Sequence, residues 1–151
     1  MKEKEQIQNE IRIKLPSLSV NESVARSVVA AFCAQLDPST SELADIKCVV
    51  SEAVTNCIVH GYKDTVGIIY IAVALYKSGL VRIEIKDKGV GISDVKQARE
   101  PLFTTDAASE RSGMGFTVME SFSDRIRVSS KVGGGTKVVL YKKLRGKGEL
   151  T

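Results

Sequence analysis

Two hydrophobic periods follow one another at the start of the chain. Between residues 11 and 15, isoleucine and leucine alternate with arginine and lysine, and this two-residue period predicts a β-strand. Over residues 24–36 apolar side chains recur at helical spacing, with Ser19 or Asn21 as the expected N-cap and Pro38 just beyond the expected end. The pattern therefore predicts a strand followed by a helix.

A second helix is predicted directly after the first. Ser39 and Glu42 have the spacing of a capping box, in which each side chain satisfies a backbone N–H of the first turn. Apolar residues then recur at helical spacing over residues 43–58. The helix is expected to run to about His60 and to stop at Gly61.

The rest of the chain is mainly β-rich. The predicted elements are strands at residues 66–76 and 80–87, a helix at 113–122, and strands at 126–130 and 137–144. The short connections at 77–79 and 133–135 are typical of hairpins. This order predicts an α/β two-layer sandwich, in which a mixed, mostly antiparallel sheet is covered on one face by helices.

Length and composition favour one globular domain over residues 1–151, with residues 1–8 and 145–151 expected to be frayed. The 151 residues are 43% hydrophobic, which is enough for a packed core. The three cysteines form no CxxC pair and His60 is the single histidine, so a zinc site is not expected. We find neither a signal-peptide pattern nor an apolar run of about 18 residues. A cytoplasmic protein without membrane contact is therefore predicted.

The formal net charge of +4 leaves several partner classes open. A basic run at residues 142–147 lacks the interleaved aromatic residues that nucleic-acid-binding segments often carry. A nucleotide or an acidic protein accounts for the charge equally well, so no direct nucleic-acid contact is predicted.

Glu52 and Asn56 are the first candidate site residues. They are four positions apart on the second predicted helix and therefore share one face. Polar groups on a largely apolar helix cost free energy unless they are paired, and a metal ion with phosphates would pair them. An exposed glutamate beside an incidental asparagine is the simpler interpretation.

A second candidate follows the strand at residues 80–87. Asp87 ends it and is followed by Gly89 and Gly91, which allow backbone to approach a ligand closely. A carboxylate there can accept a hydrogen bond from an exocyclic amine such as that of adenine. Many hairpins contain this DxGxG pattern, and the later pair Gly135 and Thr136 is by itself only a turn.

A third candidate stands where a helix is predicted to begin. Gly113 and Gly115 form a GxG pattern, and backbone amides at a helix N-terminus can bind an anion. Arg111 could add a charge-assisted contact to a terminal phosphate. Because no GxGxxG and no GxxxxGK[ST] pattern is present, dinucleotide-binding and P-loop folds are excluded.

The order of these motifs resembles the GHKL ATPase superfamily of gyrase, Hsp90, histidine kinases and MutL. The motifs are Glu52-x3-Asn56, Asp87-x-Gly89-x-Gly91, Gly113-x-Gly115 and Gly135-Thr136. Residues 21–36, 49–62 and 101–122 further resemble the sporulation anti-sigma F factors, which are serine kinases. The resemblance implies the Bergerat ATP-binding fold, Mg-ATP as cofactor and a homodimer.

The resemblance also implies two protein partners, a sporulation sigma factor and an anti-anti-sigma protein that has a phosphoacceptor serine. Glu52 would be the general base, Asn56 the Mg²⁺ ligand, and Asp87 with Thr136 the adenine contacts. The remaining implied positions are the glycines 89, 91, 113 and 115 lining the nucleotide, Thr104, Thr105 and Arg111 in a lid at about 100–113, and Glu22 and Arg26 as the partner surface.

Two other functions remain open. The chain could be a nucleotide-gated sigma-binding module without significant kinase activity, although such a module has no need of a base at Glu52. It could also be the related general-stress anti-sigma kinase, which performs the same chemistry on different partners.

Overall fold

The computed structural model describes residues 6–95 and 115–146. Its elements in chain order are β1 (Ile7–Pro16), α1 (Asn21–Cys33), α2 (Thr40–Asn56), β2 (Ile68–Tyr76), β3 (Leu80–Asp87), α3 (Gly115–Ser121), β4 (Arg125–Lys131) and β5 (Gly135–Lys143). A 3₁₀ turn at Ala34–Leu36 extends α1, and a π-helical turn at Cys57–Gly61 extends α2. The elements predicted from the sequence are confirmed, with ends that shift by a few residues.

The five strands form one sheet in the order β1-β2-β3-β5-β4. All four ladders between them are antiparallel, so the described sheet is not mixed as the sequence analysis expected. Short hairpin turns join β2 to β3 and β4 to β5, which allows only antiparallel pairing there.

The core lies between one face of the sheet and the helices. Alternate residues of β3, such as Ile83 and Ile85, are buried on this face. They belong to one apolar cluster with Ile46 and Val50 of α2 and with Met119 of α3. The other face of the sheet has no helix of the described residues on it, and the predicted two-layer sandwich is confirmed. No helix among residues 6–95 and 115–146 is long and apolar enough to cross a membrane.

The helix caps follow the sequence prediction only in α2. The Ser39 hydroxyl accepts from the Glu42 N–H at 3.1 Å, and the Glu42 carboxylate accepts from the Ser39 N–H at 3.0 Å. The cap predicted for α1 is wrong, because the N-cap residue is Val20 and no side chain caps the helix. The Asn21 amide instead donates to the Pro16 carbonyl at 3.0 Å.

Residues near both ends of the described range take part in a strand or in tertiary hydrogen bonds. Ile7 and Gln8, which we expected to fray, lie in β1. The N–H groups of Arg145 and Gly146 donate to the Glu42 carboxylate at 2.7 and 3.0 Å. Burial raises the pKa of Glu42, but these two backbone donors together with Ser39 outweigh burial and lower the pKa below its ordinary value. The α2 cap therefore also holds Arg145 and Gly146, which follow β5.

Candidate functional site

The centre of the candidate site is a buried carboxylate at the end of β3. Asp87 is 4% exposed, and its Oδ1 accepts from the Gly89 N–H at 2.9 Å. The Cys57 thiol and the Thr136 backbone N–H also form hydrogen bonds with this carboxylate. Burial raises the pKa of Asp87 above its ordinary value, and the three donors offset only part of this rise by stabilising the ionised form.

The glycines around Asp87 allow three backbone segments to meet. A Cβ on Gly89 would lie 1.9 Å from the Gly61 carbonyl oxygen, and a Cβ on Gly61 would lie 2.7 Å from Oδ2 of Asp87. The Val90 N–H donates to the Gly61 carbonyl at 2.9 Å. The loop after β3 is therefore attached to the π-helical turn that ends α2, and no side chain fits between them.

The same loop is attached to the hairpin between β4 and β5. Gly91 has φ +79°, and a Cβ there would lie 2.1 Å from the Lys131 carbonyl oxygen. The Ser130 hydroxyl accepts from the Ile92 N–H at 2.7 Å and lies 2.8 Å from the Thr136 hydroxyl. Thr136 is also the β5 residue paired with Asp87, so the predicted Gly135-Thr136 motif lies directly beside the predicted acid.

The sequence analysis missed Cys57 and Ser130. Cys57 is 4% exposed, as a small apolar core residue would be, but its thiol also contacts Asp87. Burial first, and the neighbouring Asp87 charge second, raise the pKa of Cys57 well above its usual value, so the thiol stays protonated and can donate. Neither residue has a local sequence signal, because both acquire their roles from a distant segment.

Glu52 and Asn56 lie one turn apart on α2, and both are partly buried. Asn56 is the last α-helical residue and immediately precedes Cys57, which contacts Asp87. The helix therefore carries the predicted base and metal ligand toward the predicted nucleotide contact. Among residues 6–95 and 115–146, no group of three His, Cys, Asp or Glu side chains could hold a metal ion.

Glu22 contacts both Arg26 and helix α2. Arg26 forms an ion pair with Glu22 at 2.8 Å, one turn apart on α1. The same Glu22 oxygen accepts a hydrogen bond from the hydroxyl of Ser51, the residue before Glu52. The predicted partner surface and the predicted catalytic helix are thus joined by one hydrogen bond.

Several predicted site residues lie outside the described chain, namely Thr104, Thr105, Arg111 and Gly113. Gly115 is the first residue of α3. The adjacent Phe116 is 7% exposed and belongs to the core cluster that includes α2. The described end of the third predicted motif therefore packs on the same core as α2, the helix that carries Glu52 and Asn56.

The comparisons with known proteins agree with this geometry. The histidine kinase-like ATPase domain family matches residues 15–142. The anti-sigma F factor of a Geobacillus species is 56% identical over 137 residues, which are 90% of this chain and 93% of that protein.

Two solved structures share the fold at low sequence identity. The RsbU and RsbW domains of a Mycobacterium tuberculosis protein align with a TM-score of 0.65 and 23% identity, covering 91% of this chain and 33% of that one. Full-length ShkA in complex with AMPPNP aligns with a TM-score of 0.57 and 14% identity, covering 87% of this chain and 31% of that one. This chain thus spans about a third of either solved chain, and the predicted ATP-binding fold is confirmed.

Proposed function

The chain belongs to the anti-sigma F factors within the histidine kinase-like ATPase domains, and we propose that it is an ATP-dependent serine kinase. In this proposal it sequesters a sporulation sigma factor and phosphorylates a serine of an anti-anti-sigma protein. Membership of this ATPase family implies nucleotide binding. The observation that best supports the proposal is the buried Asp87 carboxylate at the end of β3, beside three protein donors that favour its ionised form.

Asp87 is suited to recognise the base of the nucleotide through a hydrogen bond. When it is ionised, this carboxylate accepts from protein donors and still offers its remaining lone pairs to a ligand donor. The exocyclic amine of adenine is such a donor. Thr136 would assist at the same edge, and the glycine positions 89, 91, 113 and 115 would line the nucleotide.

Asn56 is the proposed Mg²⁺ ligand. Because Mg²⁺ in phosphoryl-transfer sites is usually held by one or two protein groups together with substrate phosphates, a single amide oxygen on α2 is a suitable donor. Mg-ATP, when bound, supplies the transferable phosphoryl group and neutralises charge on it.

Glu52 is the proposed general base. It stands one turn before Asn56 on the same face of α2, so a serine hydroxyl brought to the phosphates would lie near its carboxylate. Thr104, Thr105 and Arg111, which lie outside the described residues, are proposed to contact the phosphates from the lid.

Partner binding is assigned to Glu22 and Arg26 on α1. Their ion pair is partly exposed, with the Arg26 side chain 37% accessible and the Glu22 side chain 24% accessible. A charged pair of this kind is typical of the rim of an interface, where it governs specificity and association rate. We also propose that the functional unit is a homodimer.

The decisive experiment is label transfer. The purified protein is mixed with Mg²⁺, ATP labelled at the γ-phosphate and the candidate anti-anti-sigma protein, and the label on the partner's serine is quantified. Glu52→Gln should retain ATP binding and lose about 10²–10⁴-fold in transfer rate. Glu10→Gln, which removes an exposed carboxylate from β1, is the matched control and should transfer at the parental rate.

Two outcomes would change the proposal. Equal transfer by Glu52→Gln and the parent would remove the base assignment while leaving the kinase intact. No transfer by the parent protein, despite measured ATP binding and partner binding, would instead establish a nucleotide-gated sigma-binding module.

A further inference from the structure

The Tyr62 side chain occupies a narrow space between the end of α2 and the start of β2. It is 9% exposed and directly follows the π-helical turn that extends α2. Its ring lies against Gly67, where an added Cβ would be 2.2 Å from Cε1 of the ring. The Gly67 carbonyl accepts from the Ser17 N–H at 2.9 Å, and the Gly67 N–H donates to the Ser17 hydroxyl at 3.0 Å. The ring of Tyr62 therefore has little freedom to move.

The Tyr62 hydroxyl connects the adjacent ends of β2 and β3. It donates to the carbonyl of Ile68, the first residue of β2, at 2.5 Å. It accepts from the N–H of Lys88, the residue directly after β3, at 2.8 Å. The last backbone pair at this end of the ladder is Tyr70 with Lys86. Continued by two residues, the same register would place Ile68 opposite Lys88, so the hydroxyl lies where the ladder would otherwise continue.

This arrangement fixes the backbone on one side of Asp87. Two hydrogen bonds in series hold the strand ends farther apart than one direct bond of about 2.9 Å would. Because a peptide group is planar, the Lys88 N–H and the Asp87 carbonyl move together. On the β5 side, Asp87 is paired with Thr136, and a Cβ on Gly135 would lie 2.1 Å from the Asp87 carbonyl oxygen. The peptide group that follows Asp87 is therefore held from both sides.

We propose that Tyr62 is a positioning residue for recognition of the nucleotide base, because its hydroxyl sets the separation of β2 and β3 and thereby the place of the Asp87 carboxylate. This inference rests on the proposed contact between Asp87 and the exocyclic amine of adenine. A hydrogen bond weakens outside a narrow range of distance and angle, so a small shift of the carboxylate is enough to weaken that contact. The proposal requires no contact between Tyr62 and the nucleotide.

A purely structural role of the hydroxyl would have a different consequence. The hydroxyl satisfies two backbone groups, so its removal should lower the stability of the folded protein in either case. Lower stability alone would affect the binding of every nucleotide equally. A shift of Asp87 would instead affect only nucleotides that carry the exocyclic amine. The preference between two nucleotides that differ in this amine alone therefore separates the two roles.

The test compares the full chain with its Tyr62→Phe variant, which keeps the ring against Gly67 and removes only the hydroxyl. Calorimetry with Mg²⁺ present gives dissociation constants for ATP and for purine riboside triphosphate, which is ATP without the exocyclic amine. The parent should bind ATP about tenfold more tightly than purine riboside triphosphate. In Tyr62→Phe this preference should fall to about threefold or less, while the affinity for purine riboside triphosphate stays at the parental value.

Two further variants serve as controls. Tyr76→Phe removes a tyrosine hydroxyl at the opposite end of β2 and should keep the parental preference for ATP. Asp87→Asn should itself lose most of the preference. If Tyr62 acts through Asp87, the double variant Tyr62→Phe/Asp87→Asn should show the same preference as Asp87→Asn, because the two changes remove one interaction.

Three results would contradict the positioning role while leaving the contact between Asp87 and adenine in place. They are an unchanged preference in Tyr62→Phe, an equal loss of affinity for both nucleotides in Tyr62→Phe, and a further loss of preference in the double variant. A fourth result has a different meaning. If the parent binds both nucleotides equally, the proposed contact between Asp87 and adenine is wrong, and the role of Tyr62 in base recognition is wrong with it.

Discussion

The two sides of the β3–β5 ladder carry polar groups under opposite physical conditions. On the helix-covered side, Asp87 is buried and accepts hydrogen bonds from backbone and thiol donors of three segments. On the side of the sheet that carries no described helix, which we call the open face, Lys86 and Lys137 are neighbours in register and have no described ion pair. A buried polar group must be paired at fixed geometry, whereas a solvated one needs no protein partner. The covered side is therefore expected to be sensitive to small structural changes, and the open face to changes in net charge and salt.

The largest expected effect is steric and lies on the covered side. Gly89→Ala places a Cβ against the Gly61 carbonyl, a backbone atom that cannot move alone, so we expect a destabilisation of about 3 kcal/mol. Gly133→Ala is the matched control, because its φ of +80° is strained but no atom lies within 4 Å of the added Cβ. It should cost about 1–2 kcal/mol. Urea unfolding of both variants measures the difference, and equal midpoints would show that the loop can shift to accommodate a side chain.

The next effect concerns binding at the same position. Asp87→Asn exchanges an ionised acceptor for an amide, and ATP affinity should fall by about 1–3 kcal/mol in calorimetry. In the parent, protonation of Asp87 should also weaken ATP binding. Because burial raises this pKa, affinity should begin to fall at a higher pH than for an exposed aspartate, whose ordinary pKa is about 3.9. Asp87→Asn should not show this loss of affinity at low pH. If the variant binds ATP with parental affinity, the proposed contact between Asp87 and adenine is wrong.

A smaller effect is expected at the junction between α1 and α2. Ser51→Ala removes the hydrogen bond from Ser51 to Glu22, which should cost about 1 kcal/mol of folding stability. If Glu22 and Arg26 bind the partner, their position should also loosen and partner affinity should fall. Ser41→Ala, at an exposed position of the same helix, is the control. Unchanged partner affinity in Ser51→Ala would show that the hydrogen bond does not position the interface.

The smallest effect is expected on the open face. Glu84→Gln breaks the ion pair with Arg82, and solvent-accessible pairs contribute about 0–1 kcal/mol. Its urea midpoint should therefore be close to that of the parent. A loss as large as that of Gly89→Ala would mean that charge on the open face is a determinant of folding and would end the contrast between the two sides.

Most of the fold could be predicted because its elements repeat with regular periods. The hairpin of β2 and β3 was recognised from two β-rich runs around a short turn, and Ser39 and Glu42 form the predicted capping box. The cap of α1 was predicted wrongly because Asn21 bonds back to Pro16, a contact that depends on how β1 enters the helix. The extra role of Glu42, which holds Arg145 from about a hundred residues away, has no local signal.

The candidate site, like the fold, contains some residues that the sequence could identify and others that it could not. Glu52 with Asn56, and Asp87 with its glycines, could be selected from the sequence because their spacing within one helix or loop already implies a shared face or a close approach. The roles of Cys57 and Ser130 could not be selected, because each depends on a segment tens of residues away. The register of the sheet, and not any motif, places them.

What the sequence by itself determined is the order of elements, the family and the local motifs, because hydrophobic period and motif spacing are properties of neighbouring residues. Only the tertiary structure decided which groups surround Asp87 and where the positive charge collects. Lys14, Lys86 and Lys137 are scattered along the chain and become one row only through strand pairing. Electrostatic interaction depends on distance in space. The net charge of the sequence alone therefore does not identify a partner, whereas the strand register shows which charges lie side by side.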